Sequence, residues 1–326
     1  MKATAVAPSN IAFIKYWGRK DEILKLPIND SISMNLSNLL TTTTVAFQED
    51  LKTDSITINN SIPSTTAVKK TTKQLDRIRQ LVHIKAKAKV VSNNSFPSDT
   101  GLSSSASGFA ALTVAAAKAV GLKLSEKELS TLARQGSGSA CRSIPDGFVE
   151  WFAGDTSEMS YAISLYPPNH WDIIDVVAVV STTKKEIPST QGHMLAKSSI
   201  FFETRLQQNK KKIVLIKQYM KEKDFTKFGE LVEAEALELH AIYMTSHPSL
   251  IYLLPDSVRL LHQIKKWRQE GLAVYFTLNT GQDMHVICEK KNAKKLQELL
   301  NTLPYVKKTI YNRPSVGARE ITDHLF

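Results

Sequence analysis

Residues 97–107 combine proline, glycine and serine in an order suited to holding phosphate groups, since they run Pro97-Ser-Asp-Thr-Gly-Leu-Ser-Ser-Ser-Ala-Ser107. Gly101 would let the backbone approach an anion closely, and the serines would add hydroxyl donors. An alanine-rich stretch follows, and the start of a helix there would present unpaired N–H groups and the positive end of its dipole. The segment therefore predicts a polyphosphate site, although composition alone leaves open a flexible serine-rich loop. A Walker loop is excluded because the Gly-Lys-Ser/Thr ending is absent.

Residues 7–20 place three cations and two aromatic residues within six positions. Lys15, Arg19 and Lys20 could clamp a phosphate through charged hydrogen bonds. Tyr16 could donate its phenol, and Asn10 could orient a substrate hydroxyl. The alternative is an edge strand that ends in a solvated basic turn.

A third segment, residues 134–143, offers a tight turn with the hydroxyls of Ser137 and Ser139. Arg142 could grip a carboxylate or phosphate through two parallel hydrogen bonds. Gly136 and Gly138 are not a dinucleotide fingerprint, because the third glycine is missing and the segment follows a predicted helix rather than a strand.

Cys141 and the histidines are not expected to carry the chemistry. Cys141 is interpreted as a packed thiol, because the sequence indicates no particular histidine as its base. His240 lies in a helical pattern and is interpreted as partly buried or capping. No zinc site is expected, because the histidines show no metal-ligand spacing: His83, His170, His193, His240, His247, His262, His285 and His324.

Strands and tightly packed helices are predicted to position these segments. Four consecutive threonines favour a strand over Leu39–Phe47, and residues 48–74 read as a hairpin with a mobile excursion. Small apolar residues predict a packed helix over Ser104–Val120. Ser125 and Glu128 form a capping-box pattern that opens a helix ending near residue 136.

The second half of the chain alternates a buried strand, three helical patterns and two further strands. The predicted strands are Ile173–Val180, Ala273–Leu278 and Met284–Glu289, and the predicted helices are Ser198–Tyr219, Asp224–Thr245 and Ser257–Gln269. A polar stretch near residues 181–190 places the expected domain boundary there.

Composition indicates an ordinary globular protein. At about 150 residues per domain, 326 residues give two domains, and 42% apolar and 22% charged residues fit neither a disordered nor a membrane-embedded chain. Two cysteines and no signal-peptide pattern point to the cytoplasm. The net charge of +11 suits anionic substrates. Nucleic-acid binding is not expected, because the basic residues are scattered and lack interleaved aromatics.

Together the three segments resemble the GHMP kinase superfamily and, within it, the mevalonate diphosphate decarboxylase family. The superfamily phosphate loop, Pro-x-x-x-Gly-Leu-x-Ser-Ser-Ala, is matched by residues 97–106. The decarboxylase-like signature lies in residues 10–18 and 136–143, and similarity extends over nearly the whole chain. Three independent motifs in the right order carry the resemblance.

The resemblance implies an α/β fold of two domains: an N-terminal domain of the ribosomal S5 domain 2-like type over residues 1–184, which holds the ATP phosphate loop, and a ferredoxin-like domain over residues 185–326. It implies that ATP and magnesium phosphorylate the tertiary C3 hydroxyl of mevalonate 5-diphosphate, after which phosphate and carbon dioxide leave to give isopentenyl diphosphate. No membrane partner is implied, and a homodimer is expected because relatives commonly form one.

The resemblance also implies roles for individual residues. The implied ATP-phosphate site comprises Pro97, Gly101, Leu102, Ser103, Ser104, Ser105, Ala106 and Ser107. The implied substrate site comprises Asn10, Tyr16, Arg19, Lys20, Ser137, Gly138, Ser139, Arg142, Ser189 and Thr190. The implied catalytic candidates are Lys15, near the transferring phosphoryl group, Arg142, Asn279 and Asp283. Magnesium is expected through the ATP phosphates, without a side-chain motif of its own.

Residues 278–283 depart from the family pattern. Relatives carry Phe/Met-Asp-Ala-Gly-Pro-Asn there, and that aspartate is the base near the C3 hydroxyl; this chain has Leu-Asn-Thr-Gly-Gln-Asp. Asn279 occupies the aspartate position, and an amide cannot accept a proton at any useful pH. Asp283 would substitute only if the loop bends back. Arg19 stands where lysine is usual, and residues 144–147 replace an aromatic-Gly-Gly turn.

Several readings of this departure stay open. Positioning could suffice without a base, because the transition state of phosphoryl transfer is loose. The substrate could instead arrive already phosphorylated at C3, or differ from that of relatives. A kinase that stops after phosphoryl transfer, or a ligand-binding member without turnover, are the remaining alternatives.

Overall fold

The computed structural model describes residues 1–97, 102–183 and 187–326. Its strands are β1 (Lys2–Ile14), β2 (Arg19–Asp21), β3 (Leu26–Pro27), β4 (Ser31–Gln48), β5 (Ser55–Ile58), β6 (Lys87–Asn94), β7 (Phe148–Trp151), β8 (Ala162–Tyr166), β9 (Ile173–Val179), β10 (Val274–Thr277), β11 (Met284–Glu289), β12 (Lys308–Asn312) and β13 (Arg319–Ile321). Its helices are α1 (Thr65–Val82), α2 (Ser104–Ala119), α3 (Glu126–Gly136), α4 (Ser189–Leu195), α5 (Phe202–Glu222), α6 (Phe225–Thr245), α7 (Pro255–Gln269) and α8 (Lys290–Asn301), with 3-10 turns at Gly138–Ser143 and Ala196–Ser198.

The first sheet follows the order β13-β1-β4-β6-β5, and β7 joins β4 to β8. β1 is buried at every residue except Lys2, because the sheet encloses it on both edges and α2 covers it. The four threonines at 41–44 lie in β4, as expected from their β-branched side chains. α2 packs on β1 and β4 through its alanines, whose small side chains allow close approach.

The helix predictions for this layer are confirmed at their termini. α2 begins at Ser104, and Ser125 caps α3 by accepting from the Glu128 N–H while the Glu128 carboxylate accepts from the Ser125 N–H. The hairpin predicted over residues 48–74 is wrong. β5 instead runs parallel to β6, and α1 starts at Thr65 behind an N-cap at Ser64.

The second sheet is antiparallel, in the order β10-β11-β9-β12, and α6, α7 and α8 pack against it. The predicted strands at β9, β10 and β11 and the predicted helices at α5, α6 and α7 are confirmed to within a few residues. The chain passes from the first sheet to the second between Tyr166 and Ile173, and it returns to the first sheet at β13. The predicted boundary between residues 184 and 185 stays a prediction.

One apolar core joins the two sheets. Ile11 and Phe13 of β1 share it with Val176 of β9, Phe228 of α6 and Val286 of β11, and all five are fully buried. The end of β1 is therefore fixed against both sheets at once. None of the described helices is long and apolar enough to cross a membrane.

Candidate active site

A cavity of about 230 Å³ lies where the end of β1 meets α2, α4, α6 and the loop between β10 and β11. Residues from all three predicted segments line it. Its lining residues are Ala12, Lys15, Tyr16, Trp17, Arg19, Lys70, Ser103, Ser104, Ser105, Ser137, Gly138, Ser139, Arg142, Pro188, Ser189, Thr190, His193, Leu239, Tyr243, Asn279 and Thr280. Four are lysine or arginine, and none of these described residues is a carboxylate. The cavity is thus built for anions.

The serines at the start of α2 form one wall. Ser103 has a left-handed backbone (φ 57°), and Ser104 and Ser105 begin the helix, so unpaired N–H groups and three hydroxyls gather at its positive end. Ser9 holds this turn by donating to the carbonyl of Leu102 at 2.7 Å. This wall fits a polyphosphate chain.

The other residues predicted for the ATP site lie elsewhere. Leu102, Ala106 and Ser107 are buried beneath the cavity, and the Ser107 hydroxyl lies 2.6 Å from that of Thr41 in β4. Pro97 is exposed and does not line the cavity. Gly101 lies outside the described residues.

Tyr16 is held in a stack at a second wall. Its ring packs on His193 with a centroid distance of 4.3 Å, and His193 packs on Trp17 at 4.2 Å. The Tyr16 hydroxyl accepts from Arg19 Nε at 2.6 Å, and burial raises the pKa of Tyr16. A Cβ at residue 138 would come within 2.7 Å of that hydroxyl, so any larger residue there would displace it. Tyr16, Arg19 and the neighbouring serines form a second group of anion donors.

Arg142 is positioned by Asn10. Arg142 donates from Nε and Nη2 to the Asn10 Oδ1, at 3.3 and 3.1 Å, and from Nη1 to Ser31 Oγ at 2.9 Å. Asn10 in turn donates to Ser143 Oγ at 2.8 Å. Asn10 is 1% exposed and does not line the cavity, whereas Arg142 does. Asn10 and Arg142 therefore lie together as predicted, but Asn10 positions the Arg142 side chain instead of facing the cavity itself.

Lys15 lies at the bottom of the cavity, 2% exposed. Its Nζ donates to the Ala12 carbonyl at 2.6 Å and to Asn279 Oδ1 at 3.4 Å. Asn279 Nδ2 donates to Ser103 Oγ at 3.1 Å, which links the lysine to the serine wall. Burial lowers the pKa of Lys15 well below its ordinary value, against the opposing effect of Glu235.

A buried ion cluster fixes the backbone of Lys15. Glu235 of α6 accepts from the Lys15 N–H at 3.0 Å, pairs with Arg205 of α5, and accepts from Lys212 at 2.7 Å. Arg205 also donates to the Lys15 carbonyl at 2.8 Å. Burial alone would raise the pKa of Glu235, but Arg205, Lys212 and the hydrogen bond from the Lys15 N–H together outweigh it, so the pKa is lowered.

Two further predicted residues lie outside the cavity. Asp283 is 3% exposed and accepts from the backbone N–H groups of Val180 and Ser181, at 3.0 and 3.4 Å. The loop does not bend back, because this carboxylate holds the end of β9. Lys20 pairs with Asp155 at 2.8 Å on the surface. Of the remaining predictions, Ser189 and Thr190 do line the cavity.

The structure adds lining residues that sequence reasoning missed: Ala12, Trp17, Lys70, Pro188, His193, Leu239, Tyr243 and Thr280. Ala12 and Trp17 lie in the signature of residues 10–18, and Pro188 precedes the predicted Ser189. Lys70 lies in α1, a helix that was not predicted. Leu239 and Tyr243 occupy apolar positions of α6 that the sequence does not distinguish from ordinary core positions. Cys141 is fully buried as interpreted, and burial raises its pKa to about 12.

Comparisons with known proteins match this chain to one family over both of its sheets. A family model described as the diphosphomevalonate decarboxylase-like N-terminal domain matches residues 7–162, and one described as the mevalonate 5-diphosphate decarboxylase C-terminal domain matches residues 175–320. Diphosphomevalonate decarboxylase of Candida albicans is 35% identical, over 91% of this chain and 87% of its own. That of Saccharomyces cerevisiae is 34% identical, over 90% of this chain and 79% of its own.

Solved structures match as well. Mevalonate diphosphate decarboxylase from Staphylococcus aureus superposes with a TM-score of 0.93 and 36% identity, over 98% of each chain. A structure described as "MDDEF in complex with MVAPP, AMPPCP and Magnesium" has a TM-score of 0.93 and 34% identity, over 99% of each chain. The predicted α/β GHMP kinase fold is confirmed, and the chain belongs to the mevalonate diphosphate decarboxylase family.

Proposed function

We propose that this protein catalyses the ATP-dependent decarboxylation of mevalonate 5-diphosphate to isopentenyl diphosphate, by way of phosphorylation at C3. The single observation that carries the proposal is the cavity itself. It places two groups of phosphate donors, a lysine and a buried arginine in one space. The relatives, named for this reaction, favour it over a kinase that stops at phosphoryl transfer.

The wall of Ser103, Ser104 and Ser105 is proposed to hold the ATP phosphates, with Lys70 of α1 adding a charge. Backbone N–H groups at a helix start bind anions without a metal motif. No group of three histidine, cysteine or acidic side chains able to hold a metal occurs in the described residues, so the phosphates themselves would hold Mg²⁺. When bound, the ion neutralises phosphate charge during transfer.

The second wall is proposed to hold the 5-diphosphate, through Tyr16, Arg19, Ser137 and Ser139. The Ser137 hydroxyl lies 3.2 Å from that of Ser105, so the two walls adjoin. Arg142, whose other donors are taken by Asn10 and Ser31, is proposed to orient the carboxylate end of the substrate.

The order of the chemistry follows from leaving-group ability. A tertiary hydroxide leaves poorly, whereas a tertiary phosphate leaves readily once phosphorylation has occurred. Phosphoryl transfer depends mainly on alignment and charge neutralisation, which a cavity lined with cations and N–H donors supplies. Loss of the C3 phosphate then draws the electron pair of the breaking C–C bond into the new double bond.

One assay tests this function. Purified protein receives ATP, Mg²⁺ and, separately, mevalonate, its 5-phosphate and its 5-diphosphate, while ADP and carbon dioxide are followed together. Equal amounts of ADP and gas from the diphosphate are expected. ADP without gas would indicate a kinase. Gas only from a 3-phosphorylated substrate would indicate elimination alone, and ligand-dependent thermal stabilisation without either product would indicate a binding protein.

A cytoplasmic location is also proposed. Cys141 and Cys288 are both buried free thiols, which fits a reducing compartment. Homodimerisation stays a prediction, and sedimentation at micromolar concentration would test it.

A further inference from the structure

Among the described residues, Lys15 Nζ has two hydrogen-bond partners, and neither is charged. They are the Ala12 carbonyl at 2.6 Å and the Asn279 Oδ1 at 3.4 Å, both of which can only accept. A neutral amine has two N–H groups and one lone pair. In the neutral amine both hydrogens would serve these acceptors, and the lone pair would take the remaining tetrahedral position, on a residue that lines the cavity.

The amide of Asn279 enforces this arrangement. Its Nδ2 donates to Ser103 Oγ at 3.1 Å, which leaves Oδ1 turned to Lys15. A carboxylate in the same place would favour the ammonium form, whereas the neutral amide adds no negative charge. The lysine backbone is equally fixed, because Glu235 accepts its N–H and Arg205 donates to its carbonyl.

Charged groups on four elements act on the pKa of Lys15. Glu235 of α6 and Asp175 of β9 favour the ammonium form, whereas Arg142 of the 3-10 turn and Arg205 of α5 oppose it. Burial is the largest effect, so the pKa of Lys15 falls well below its ordinary value. The nearby His240 adds no positive charge at neutral pH, because burial lowers its pKa to about 4.

No other described lining group can accept the proton. The described lining contains no carboxylate, and Asn279 is an amide. His193 Nδ1 accepts from the Gly18 N–H at 3.1 Å, so in the neutral ring Nε2 carries the proton. Arginine does not deprotonate in proteins. Lys15 is left.

From this geometry we propose that Lys15 Nζ is the base that takes the proton of the substrate's C3 hydroxyl. The inference rests on the proposed function. As the hydroxyl oxygen forms its bond to the γ-phosphorus of ATP, the bond from that phosphorus to the β,γ-bridging oxygen breaks and ADP leaves. The hydroxyl proton moves to the lone pair of Nζ, which becomes an ammonium ion. The proton passes to water after phosphate and carbon dioxide have left.

Substitutions at Lys15 test the proposal. Lys15→Met and Lys15→Arg are each expected to lower kcat by about 10²–10⁴-fold, the contribution of general-base catalysis. Arginine keeps the charge but cannot accept a proton, so a Lys15→Arg variant within about threefold of the unsubstituted protein would overturn the proposal. Lys291→Met, at an exposed surface position, is the matched control and should leave kcat unchanged.

Chemical rescue separates a base from a positive charge. Methylamine added to Lys15→Ala should restore turnover in proportion to the concentration of free amine, so rescue rises with pH. Rescue that follows the concentration of methylammonium would overturn the proposal. Retained ATP-dependent thermal stabilisation would show that the variant is folded.

The pH profile of kcat gives the remaining test and needs no variant that might misfold. A base must be deprotonated to act, so kcat should reach its maximum above the pKa of Lys15 and fall tenfold per pH unit below that pKa. A kcat without this acidic limb would overturn the role of Lys15 while leaving the proposed function standing. Absence of ADP and gas in the unsubstituted protein would instead remove the proposed function.

Discussion

At residue 279 an amide stands where the family pattern has an aspartate, and the structure shows what surrounds it. Asn279 bridges Lys15 and Ser103, and no carboxylate among the described residues replaces the missing one in the cavity. Asp283 is engaged with the backbone at the end of β9. The substitution therefore changes the charge of the site rather than moving a carboxylate within it.

The variant Asn279→Asp should raise the pKa of Lys15, because a carboxylate beside Nζ favours the ammonium form. Since the deprotonated amine is the active form, the acidic limb of the kcat profile should move to higher pH. At pH 7 turnover should be equal or lower. A tenfold increase at pH 7 would mean that a carboxylate base is what the site lacks, and profiles of both proteins at saturating ATP make the comparison.

Gly138 makes room for the Tyr16 hydroxyl, so Gly138→Ala should displace it. The added Cβ would lie within 2.7 Å of that oxygen. Loss of one charge-assisted contact to the diphosphate, roughly 1.5–3 kcal/mol, predicts a KM about 10- to 150-fold higher. Gly108→Ala is the control, since nothing lies within 4 Å of its added Cβ. Equal KM values for the two variants would contradict the placement of the diphosphate.

At the scale of one element, α3 depends on its reciprocal cap. Ser125→Ala removes the hydroxyl that accepts from the Glu128 N–H and should destabilise the protein by about 1 kcal/mol. The melting temperature should fall by roughly 2 °C, as expected for a chain of this size. Lys123→Ala, an exposed residue just before the helix, should have no effect. Equal melting temperatures for the two variants would contradict a stabilising cap.

Elements with strong local signals were predicted from sequence, whereas helices with weaker signals, such as α1, α4 and α8, were not. The termini of α2 and α3 follow from their alanines and capping residues, and β11 follows from its apolar run. α1 was missed because its buried stripe mixes Leu75 and Ile78 with polar residues. Its N-cap, Ser64, lies within the stretch predicted as a hairpin, so Lys70 is absent from the predicted site.

At the scale of the whole molecule, Glu235 links the first sheet to the helices α5 and α6. It joins the end of β1 to α5 and α6 while fully buried. Glu235→Gln should destabilise the protein by roughly 3–5 kcal/mol, because Arg205 and Lys212 would remain buried with reduced neutralisation. Glu238→Gln is the control, since Glu238 pairs with the same Lys212 but its side chain is 44% exposed. Denaturant unfolding of both variants measures the difference, and equal midpoints would contradict the link.

The resemblance predicted that the three segments meet in one site, but it did not predict the individual contacts within it. The three segments meet in one cavity as the resemblance implied, with Lys15, Arg142 and Asn279 together. Local patterns do not specify which polar group pairs with which. Lys20 pairs with Asp155, and Asp283 accepts from the N–H groups after β9. Both contacts join residues more than 100 positions apart in the sequence.

The net charge of +11 predicts how the whole molecule captures its substrates. ATP and a diphosphate are both strongly anionic, and a positive field raises their rate of encounter. Raising ionic strength from about 0.02 to 0.2 M shortens the screening length to below roughly 10 Å. The value of kcat/KM should therefore fall several-fold with sodium chloride, while kcat at saturation stays constant. Replacing the exposed Lys211, Lys221 and Lys291 by glutamine should weaken this salt dependence without changing kcat. A salt response identical in that variant would place the attraction within the cavity alone.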